Sequence, residues 1–402
     1  MLHRPINGTS EDQKTPDREE LDREDLDRLI ATVRTIAAEL APDIAAAESE
    51  GAYPRAHLDR LRRAGLFGLT APVRFGGQGR GLADTAEVIR EIGKSDPSAA
   101  LILIMHYATL ACLHDTNWPI PVAEKVLRAG ATEGALINAL RVEPDLGTPM
   151  RGGLPATTAT RQPDGGWRLS GRKIYSTGSE GLSWGIVWAR TDEDLPRVGQ
   201  FLVPLGVKGV EIRPVWDTLG LRSSSSHEVI FDQVALPEAY AVDLRAPDGW
   251  ASRNDGMSLW ISLLISALYT GVAEAARDWI VGFLKSRVPA NLGRPLSELP
   301  RQQEAVGAIE ALLAVNLRLI RSAAVEVDKG MPLSATDTGI LKHTATENAI
   351  SAVERALKLA GNHAISRRNP IERHFRDVLC GRIHSPQEDT VLVGAGRRAL
   401  GL

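Results

Sequence analysis

The sequence predicts an α+β fold that is mostly α-helical: an N-terminal helical domain, a middle antiparallel β domain and a C-terminal four-helix bundle. Three observations predict this order. Helical periodicity dominates up to about residue 130, short strand-like runs between turn signals follow, and long alanine-rich periodic segments fill the chain from residue 254 onward. The 402 residues are enough for two or three structural units that share a large core.

The N-terminal part divides into a tail and a helical domain. Residues 1–22 are polar and charged without an apolar stretch, which predicts a disordered tail and not a signal peptide. Residues 23–130 form the predicted N-terminal helical domain. Its first helix shows apolar residues at three- and four-residue spacing, as at Leu26, Ile30 and Val33.

The other two domains follow from a change of pattern. Residues 131–245 carry short β-branched and aromatic runs separated by turn signals such as Asp164-Gly165, so they form the predicted β domain. Residues 246–402 form the predicted helical bundle, with helices over Leu263–Phe283, Gln302–Val327, Ala335–Leu359 and Ser385–Leu400. The apolar run Leu259–Ala273 is shorter than the roughly 20 residues of a membrane span, which favours a buried helix.

Composition excludes several classes of function. The formal net charge of −3 lacks the basic excess of a nucleic-acid-binding protein. Two cysteines, Cys112 and Cys380, cannot build a disulfide framework and fit a reducing cytoplasm. We find no His/Cys/carboxylate spacing typical of a metal site, and no Gly-x-Gly-x-x-Gly after a strand for a nicotinamide cofactor. The expected protein is cytoplasmic, with neither nucleic acid nor membrane as a partner.

Five motifs occur in a fixed order along the chain: Leu66–Gly77, Val142–Thr148, Gly171–Gly178, Asp217–Pro237 and Arg373–Asp377. Together they resemble the acyl-CoA dehydrogenase superfamily, from about residue 25 to residue 402. The resemblance implies that superfamily's fold and a bound flavin.

The resemblance also implies flavin contacts. Thr177 corresponds to the hydroxyl that bonds the flavin near N5, and Tyr175 to an aromatic residue that lies against the ring. Ser176 stands between them, and Val142 opens the preceding motif. An aromatic ring can stack on a flavin and a hydroxyl can bond its ring nitrogen. Without the resemblance, the same residues would be a half-buried strand residue and hydroxyls that cap a turn.

The chain departs from the dehydrogenases at their base. Ser385 stands where many of them hold the glutamate that removes a proton from the substrate, and a serine hydroxyl cannot do so without an activating partner. A second family location for the base falls on Ile261. Glu388, one turn beyond Ser385, could reach the pocket, but an exposed helix N-terminus explains an acidic residue equally well. The stretch Leu259–Leu263 also lacks the charges that hold coenzyme A.

The residues expected to contact the ADP portion of FAD leave the choice between FAD and FMN open. Family members that use FAD often carry an arginine four residues before a glycine near a subunit interface, whereas here Arg287 precedes Gly293 by six. Gln302 follows at a suitable distance. His363 lies beside Gly361, and we expect it to line the cofactor's pyrophosphate region or the surface.

Without these residues, the chain resembles one branch of the superfamily. This branch consists of flavin-dependent monooxygenases similar to the dibenzothiophene-type sulfur oxygenases. His384, before Ser385, and His106, on an N-terminal helix, match the pocket histidines of that branch. A histidine can exchange a proton near neutral pH, so both are candidate catalytic residues together with Ser385. A buried histidine such as His106 can equally be structural, and we expect His227 on a solvated loop.

Three functions stay open. The first is a monooxygenase that uses reduced flavin and O2 on a small organic substrate, with a separate reductase as the source of reduced flavin. The second is an acyl-CoA or acyl-carrier-protein dehydrogenase whose base has moved, with Glu388 as its first candidate. The third is a non-catalytic flavin-binding protein. By analogy with the superfamily, we expect a homotetramer assembled through the bundle.

Overall fold

The computed structural model describes residues 16–113, 116–146, 153–250, 256–331 and 333–402. Residues 1–15 of the predicted disordered tail lie outside the described residues, as does the end of the Val142–Thr148 motif. The first helix begins at Pro16, so residues 16–22 of the predicted tail belong to a helix.

The N-terminal part is helical, as predicted. Its described helices are α1 (Pro16–Glu39), α2 (Ala41–Glu50), α3 (Arg55–Arg63), α4 (Leu82–Ser95), α5 (Pro97–Cys112) and α6 (Ile120–Arg128). Helix α5 starts with a strong signal: the side chain of Asp96 accepts a hydrogen bond from Ala99 N (2.9 Å), and Pro97 occupies the first turn. Nearly every side chain of α5 is buried, which places His106 inside the domain.

The middle of the chain forms one sheet from β1 (Leu136–Leu140), β2 (Thr158–Arg161), β3 (Trp167–Ser176), β4 (Leu182–Thr191), β5 (Val198–Pro204), β6 (Val210–Arg213), β7 (His227–Leu236) and β8 (Ala241–Arg245). The strand order is β6-β7-β3-β2-β4-β5-β8, and β1 pairs with β4. Most pairings are antiparallel. The β1–β4 and β2–β4 pairings are parallel. The other pairings of the domain are antiparallel, as predicted.

The C-terminal part is again helical, with α7 (Gly256–Ser286), α8 (Pro300–Asp328), α9 (Ala335–Ala360), α10 (Ile371–Leu379) and α11 (Glu388–Leu400). Helix α10 was not among the helices predicted from the sequence pattern. Helix α11 begins at Glu388, three residues after the predicted start. Helix α7 packs against α9 and against α4 of the N-terminal domain, which joins the two helical regions in one core.

Helix α7 is long and apolar enough to cross a membrane by length and composition. However, 72% of its most apolar 18-residue window is buried inside the protein. A helix that is apolar all round and covered by other helices is a core helix. This agrees with the buried helix that the sequence predicted over part of α7.

Two of the predicted domain boundaries can be located on these elements, whereas the one at 22/23 falls inside α1. The boundary at 130/131 lies in a short π-helical turn, Ala129–Glu133, before β1. The boundary at 245/246 lies directly after β8. Along the sequence, the sheet therefore lies between two helical regions. These regions contact each other through α4 and α7.

Candidate active site

The first part of the site lies where β3 ends. Tyr175 takes a left-handed backbone conformation (φ 54°), which costs a bulky residue on the order of 1–3 kcal/mol. Its side chain is 62% exposed, and its ring meets Trp216 edge-to-face with the ring centroids 6.2 Å apart. The next side chain, Ser176, is buried, and its hydroxyl has no hydrogen-bond partner in the part of the chain that the structure describes. Consecutive residues thus present an open aromatic ring and an unpaired hydroxyl.

Thr177 belongs to a row of hydroxyls. Its Oγ1 lies 3.0 Å from Ser226 Oγ, which lies 2.8 Å from Ser224 Oγ. Asn138, on β1, donates to the carbonyl of Thr177 (3.0 Å). These partners fix the turn after β3. Sequence reasoning missed them, although the run of serines Ser223–Ser226 was a signal that could have led to them.

The expectation that His227 lies on a solvated loop is wrong. Its side chain is buried, and Nδ1 accepts the backbone N–H groups of Val215 (3.2 Å) and Trp216 (3.0 Å). Because Nδ1 accepts, the proton of a neutral ring is on Nε2, which lies 3.7 Å from Glu180. His227 thereby ties the segment before it to β7.

Val142 contributes its backbone. Its carbonyl accepts a hydrogen bond from Ile174 N (3.0 Å), which ties its segment to β3. The next residue, Glu143, is buried and bonds Lys173 Nζ (2.6 Å) and the hydroxyl of Thr157 (2.6 Å). Burial alone would raise the pKa of Glu143, but these hydrogen bonds outweigh it and lower the pKa. Burial lowers the pKa of Lys173 to about 8.

A second group of candidate site residues lies between α10 and α11. His384 Nε2 is 2.8 Å from the hydroxyl of Tyr269, on α7. Burial, followed by the nearby charge of Lys342, lowers the pKa of His384 to about 3, so the imidazole is neutral at pH 7. Ser385, next in the chain, is half-buried.

Lys342, on α9, holds this segment in place. Its Nζ donates to three backbone carbonyls, those of Gly381 (2.9 Å), His384 (2.8 Å) and Pro386 (3.3 Å). The side chain is buried, and burial lowers its pKa to about 8. Neither Lys342 nor Tyr269 was predicted from the sequence, because no motif connects them to His384.

Among the described residues, no acidic side chain makes a hydrogen bond or ion pair with the His384 ring. Glu388 is exposed in the first turn of α11. The second family location, Ile261, is half-buried and packs against the hydrophobic core. Asp377, on α10, is buried, and its carboxylate accepts the N–H of Leu221 (2.8 Å). Burial raises the pKa of Asp377 to about 6.

His106 has different neighbours from His384. It is fully buried, and its Nε2 lies 3.0 Å from the carbonyl of Phe67. Its Nδ1 has no partner among the described residues, and burial lowers its pKa to about 4. His106 and His384 therefore share no hydrogen-bond partner among the described residues.

A cavity of about 560 Å³ opens where α8 begins and α9 ends. It is lined by Arg301, Gln302, Ala305, Ser351, Glu354, Arg355, Lys358 and Leu359. Oε1 of Gln302 is buried without a partner in the described part of the chain. Gly361 follows this lining in sequence and ends α9 with a positive φ (55°). Arg287 is exposed and is not among the lining residues.

Sequence profiles of three domains match this chain. The acyl-CoA dehydrogenase N-terminal domain matches residues 23–115, the middle domain residues 142–234 and the C-terminal domain residues 263–388. The chain belongs to the acyl-CoA dehydrogenase family. The resemblance and the fold class inferred from the sequence are therefore confirmed.

This acyl-CoA dehydrogenase family member has relatives of more than one kind. It is 32% identical to the putative acyl-CoA dehydrogenase YdbM of Bacillus subtilis, over 89% of this chain and 92% of that protein. It is 28% identical to the amino sugar nitrososynthase DnmZ of Streptomyces peucetius, over 85% of each chain. The structure of KijD3 with FMN and dTDP-3-amino-2,3,6-trideoxy-4-keto-3-methyl-D-glucose superposes with a TM-score of 0.79 at 26% identity, covering 96% of this chain and 94% of KijD3.

Within the family fold, the residues at the end of β3 could hold a planar cofactor with polar edges. The exposed ring of Tyr175 offers a stacking face, whereas the Ser176 hydroxyl is buried and the Thr177 hydroxyl is bonded to Ser226. The described residues contain no group of three or more His, Cys, Asp or Glu side chains that could hold a metal ion.

Proposed function

We propose that this protein is a flavin-dependent oxidoreductase and that it works as a monooxygenase, which uses reduced flavin and O2 on a small organic substrate. One observation carries the proposal: Ser385, which the resemblance assigns to the family's base position, is half-buried, while Glu388 is exposed. A serine hydroxyl cannot remove a carbon-bound proton near neutral pH without an activating partner. The similarity to a nitrososynthase supports the proposal, because that relative is not named as a dehydrogenase.

The flavin, as FAD or FMN, is proposed to lie against the end of β3. Tyr175 would stack on the ring, and Ser176 and Thr177 would bond its polar edge, with the Val142 segment beside them. KijD3 binds FMN in the similar structure, which supports a flavin here. The basic cavity at Gln302 is proposed to take phosphate groups of the flavin of a neighbouring protomer, because the resemblance implies such contacts near a subunit interface.

A bound reduced flavin would supply the electrons that activate O2. The chain's own residues would bind, orient and donate. His384, which is neutral at pH 7, can donate a hydrogen bond to an oxygen atom without removing a proton from carbon. Ser385 can donate or accept beside it. His106 has the environment of a structural residue, and its catalytic role stays a prediction.

The dehydrogenase alternative has support as well, since the relative YdbM is named a putative acyl-CoA dehydrogenase. This reading needs a carboxylate close to the flavin. Glu388 would have to leave its exposed position to provide it. The third candidate is a non-catalytic flavin-binding protein, for which we expect neither oxygenation nor dehydrogenation.

The deciding experiment identifies the released cofactor and compares two reactions. Chemically reduced protein mixed with oxygenated buffer should give a transient absorbance distinct from both oxidised and reduced flavin. Anaerobic mixing of the oxidised protein with saturated acyl-CoA thioesters should leave the flavin spectrum unchanged. Bleaching by a thioester would instead establish the dehydrogenase, and the absence of both signals would favour the third candidate.

Three further features belong to the same proposal. A separate reductase would supply reduced flavin, the protein would be cytoplasmic, and the assembly would be a homotetramer. Sedimentation velocity tests the last of these, since a monomer would leave the proposed contact between the Gln302 cavity and a neighbouring flavin without a partner.

A further inference from the structure

We propose that Tyr269 and Lys342 are positioning residues that fix the proton of His384 on Nδ1 and leave that N–H open to a bound ligand. The inference deepens the proposed function, and it rests on that function for the identity of the ligand. Its structural basis is independent of the ligand, because it depends on buried groups of α7 and α9.

Tyr269 determines which nitrogen of His384 accepts. The tyrosine is fully buried, and burial raises the pKa of its hydroxyl well above the usual value, so the hydroxyl keeps its proton. Its contact among the described residues is His384 Nε2, at 2.8 Å. If Nε2 carried the proton, the tyrosine hydrogen would be left without an acceptor in a buried site, which is costly. The hydroxyl therefore donates to Nε2, and the imidazole proton is on Nδ1.

Lys342 fixes the backbone that carries this ring. An ammonium group has three N–H donors, and the three carbonyls of Gly381, His384 and Pro386 match them in number. The same charge opposes a second proton on His384, in addition to the effect of burial. Glu347, one turn along α9, acts on Lys342 in the opposite direction to burial and favours its charged form. His384 therefore stays singly protonated.

Nδ1 is the ring nitrogen that Tyr269 does not contact. Among the described residues, no hydrogen bond engages it, yet it is not one of the buried polar atoms without a partner. It is therefore accessible. A neutral imidazole that offers N–H acts as a hydrogen-bond donor and not as a base. The ligand class that fits is one that presents an oxygen or another acceptor atom to His384.

Solid-state ¹⁵N NMR of the full-length protein, labelled at its histidine side chains, reads the tautomer directly. We assign His384 by the signal that disappears in His384→Gln. The wild-type protein should show protonated Nδ1 and unprotonated Nε2. Tyr269→Phe should convert this to a mixture of tautomers. Tyr107→Phe is the matched control, because Tyr107 is an equally buried tyrosine that donates instead to the carbonyl of Leu66 (2.7 Å).

A wild-type spectrum with the proton on Nε2 would overturn the inference. So would an unchanged tautomer in Tyr269→Phe. Both results are read without substrate, reductant or O2, so they are separate from the proposed function. If the tautomer is as expected but the reduced protein gives no oxygen-dependent transient, the positioning role stands and the monooxygenase proposal fails.

Discussion

Two buried lysines support the two halves of the candidate site, and they are paired differently. Lys173, in the β domain, meets the carboxylate of Glu143 at 2.6 Å. Lys342, in the helical region, meets only neutral backbone carbonyls in the contacts of the described residues. Burial lowers the pKa of each lysine to about 8. The charge of Lys173 is therefore compensated by a carboxylate, whereas the charge of Lys342 is stabilised by the dipoles of backbone carbonyls.

This difference explains what each half of the site can do. The Lys173–Glu143 pair has no net charge, so it stabilises the segment beside Tyr175 without biasing the protonation of its neighbours. The charge of Lys342 is felt by His384, whose pKa it lowers together with burial. In the proposed function, the β half would bind the cofactor and the helical half would control a proton.

The largest expected effect comes from breaking the compensated pair. Lys173→Met should lower the free energy of unfolding by about 3–5 kcal/mol, because it leaves the buried Glu143 carboxylate without its cation. Urea unfolding monitored by tryptophan fluorescence measures this loss. The double variant Lys173→Met/Glu143→Gln should recover most of it, and Lys208→Met, at an exposed lysine of the same domain, should change little. A loss equal to that of the exposed control would contradict the pairing.

The second effect comes from removing the uncompensated charge. Lys342→Met leaves three carbonyls without a donor but also removes a buried cation, so we expect a smaller loss of about 1–3 kcal/mol. The pKa of His384 should rise, because one of the two factors that lower it is gone. An NMR titration of His384 measures this shift. Lys329→Met, at an exposed lysine beyond α8, is the control, and a His384 pKa unchanged in Lys342→Met would break the comparison.

The sequence predicted the fold far better than these pairings. The apolar stripe through Leu26 and Ile30 and the turn signals of the β domain are local patterns, and the structure agrees with both. The contact between Tyr269 and His384 joins residues 115 positions apart, and Lys342 reaches the His384 carbonyl across 42. No local pattern fixes such pairs, since helix packing decides them. Motifs could therefore identify His384 as a candidate but not the residues that control its proton.

A pH series extends the comparison with a smaller effect. The pKa of each buried lysine, about 8, lies below its unfolded value of 10.5, so between about pH 8 and pH 10 the unfolded chain holds protons that the folded protein has released. The free energy of unfolding should therefore rise with pH there, by at most about 1.4 kcal/mol per pH unit for each lysine. Lys342→Met should remove one of the two contributions. From about pH 9 the Cys380 thiol opposes the trend, and above about pH 10 the buried tyrosines do so as well, because burial raises the pKa of these groups.

Urea unfolding at several pH values between about 7.5 and 9.5 checks this slope. The exposed-lysine variant Lys329→Met should keep the wild-type slope, since an exposed lysine contributes equally to both states. If the slope of Lys342→Met also equals that of the wild type, Lys342 releases its proton no more easily than an exposed lysine, and its charge is better compensated than the contacts indicate.

The smallest effect concerns the cofactor half of the site. Thr177→Val keeps the shape of the side chain but removes the hydroxyl proposed to bond the flavin, so flavin binding should weaken about fivefold and the visible spectrum should shift. Ser226 keeps its contact with Ser224 in this variant, which limits the damage to the site. Thr85→Val is the matched control, because Thr85 is a buried threonine of α4 whose hydroxyl donates to the carbonyl of Gly81.

Lys342→Met should leave flavin affinity unchanged if the two halves divide their tasks as proposed. An unaltered spectrum in Thr177→Val would place the flavin ring elsewhere, and a loss of flavin in Lys342→Met would show that proton control and cofactor binding are not separate.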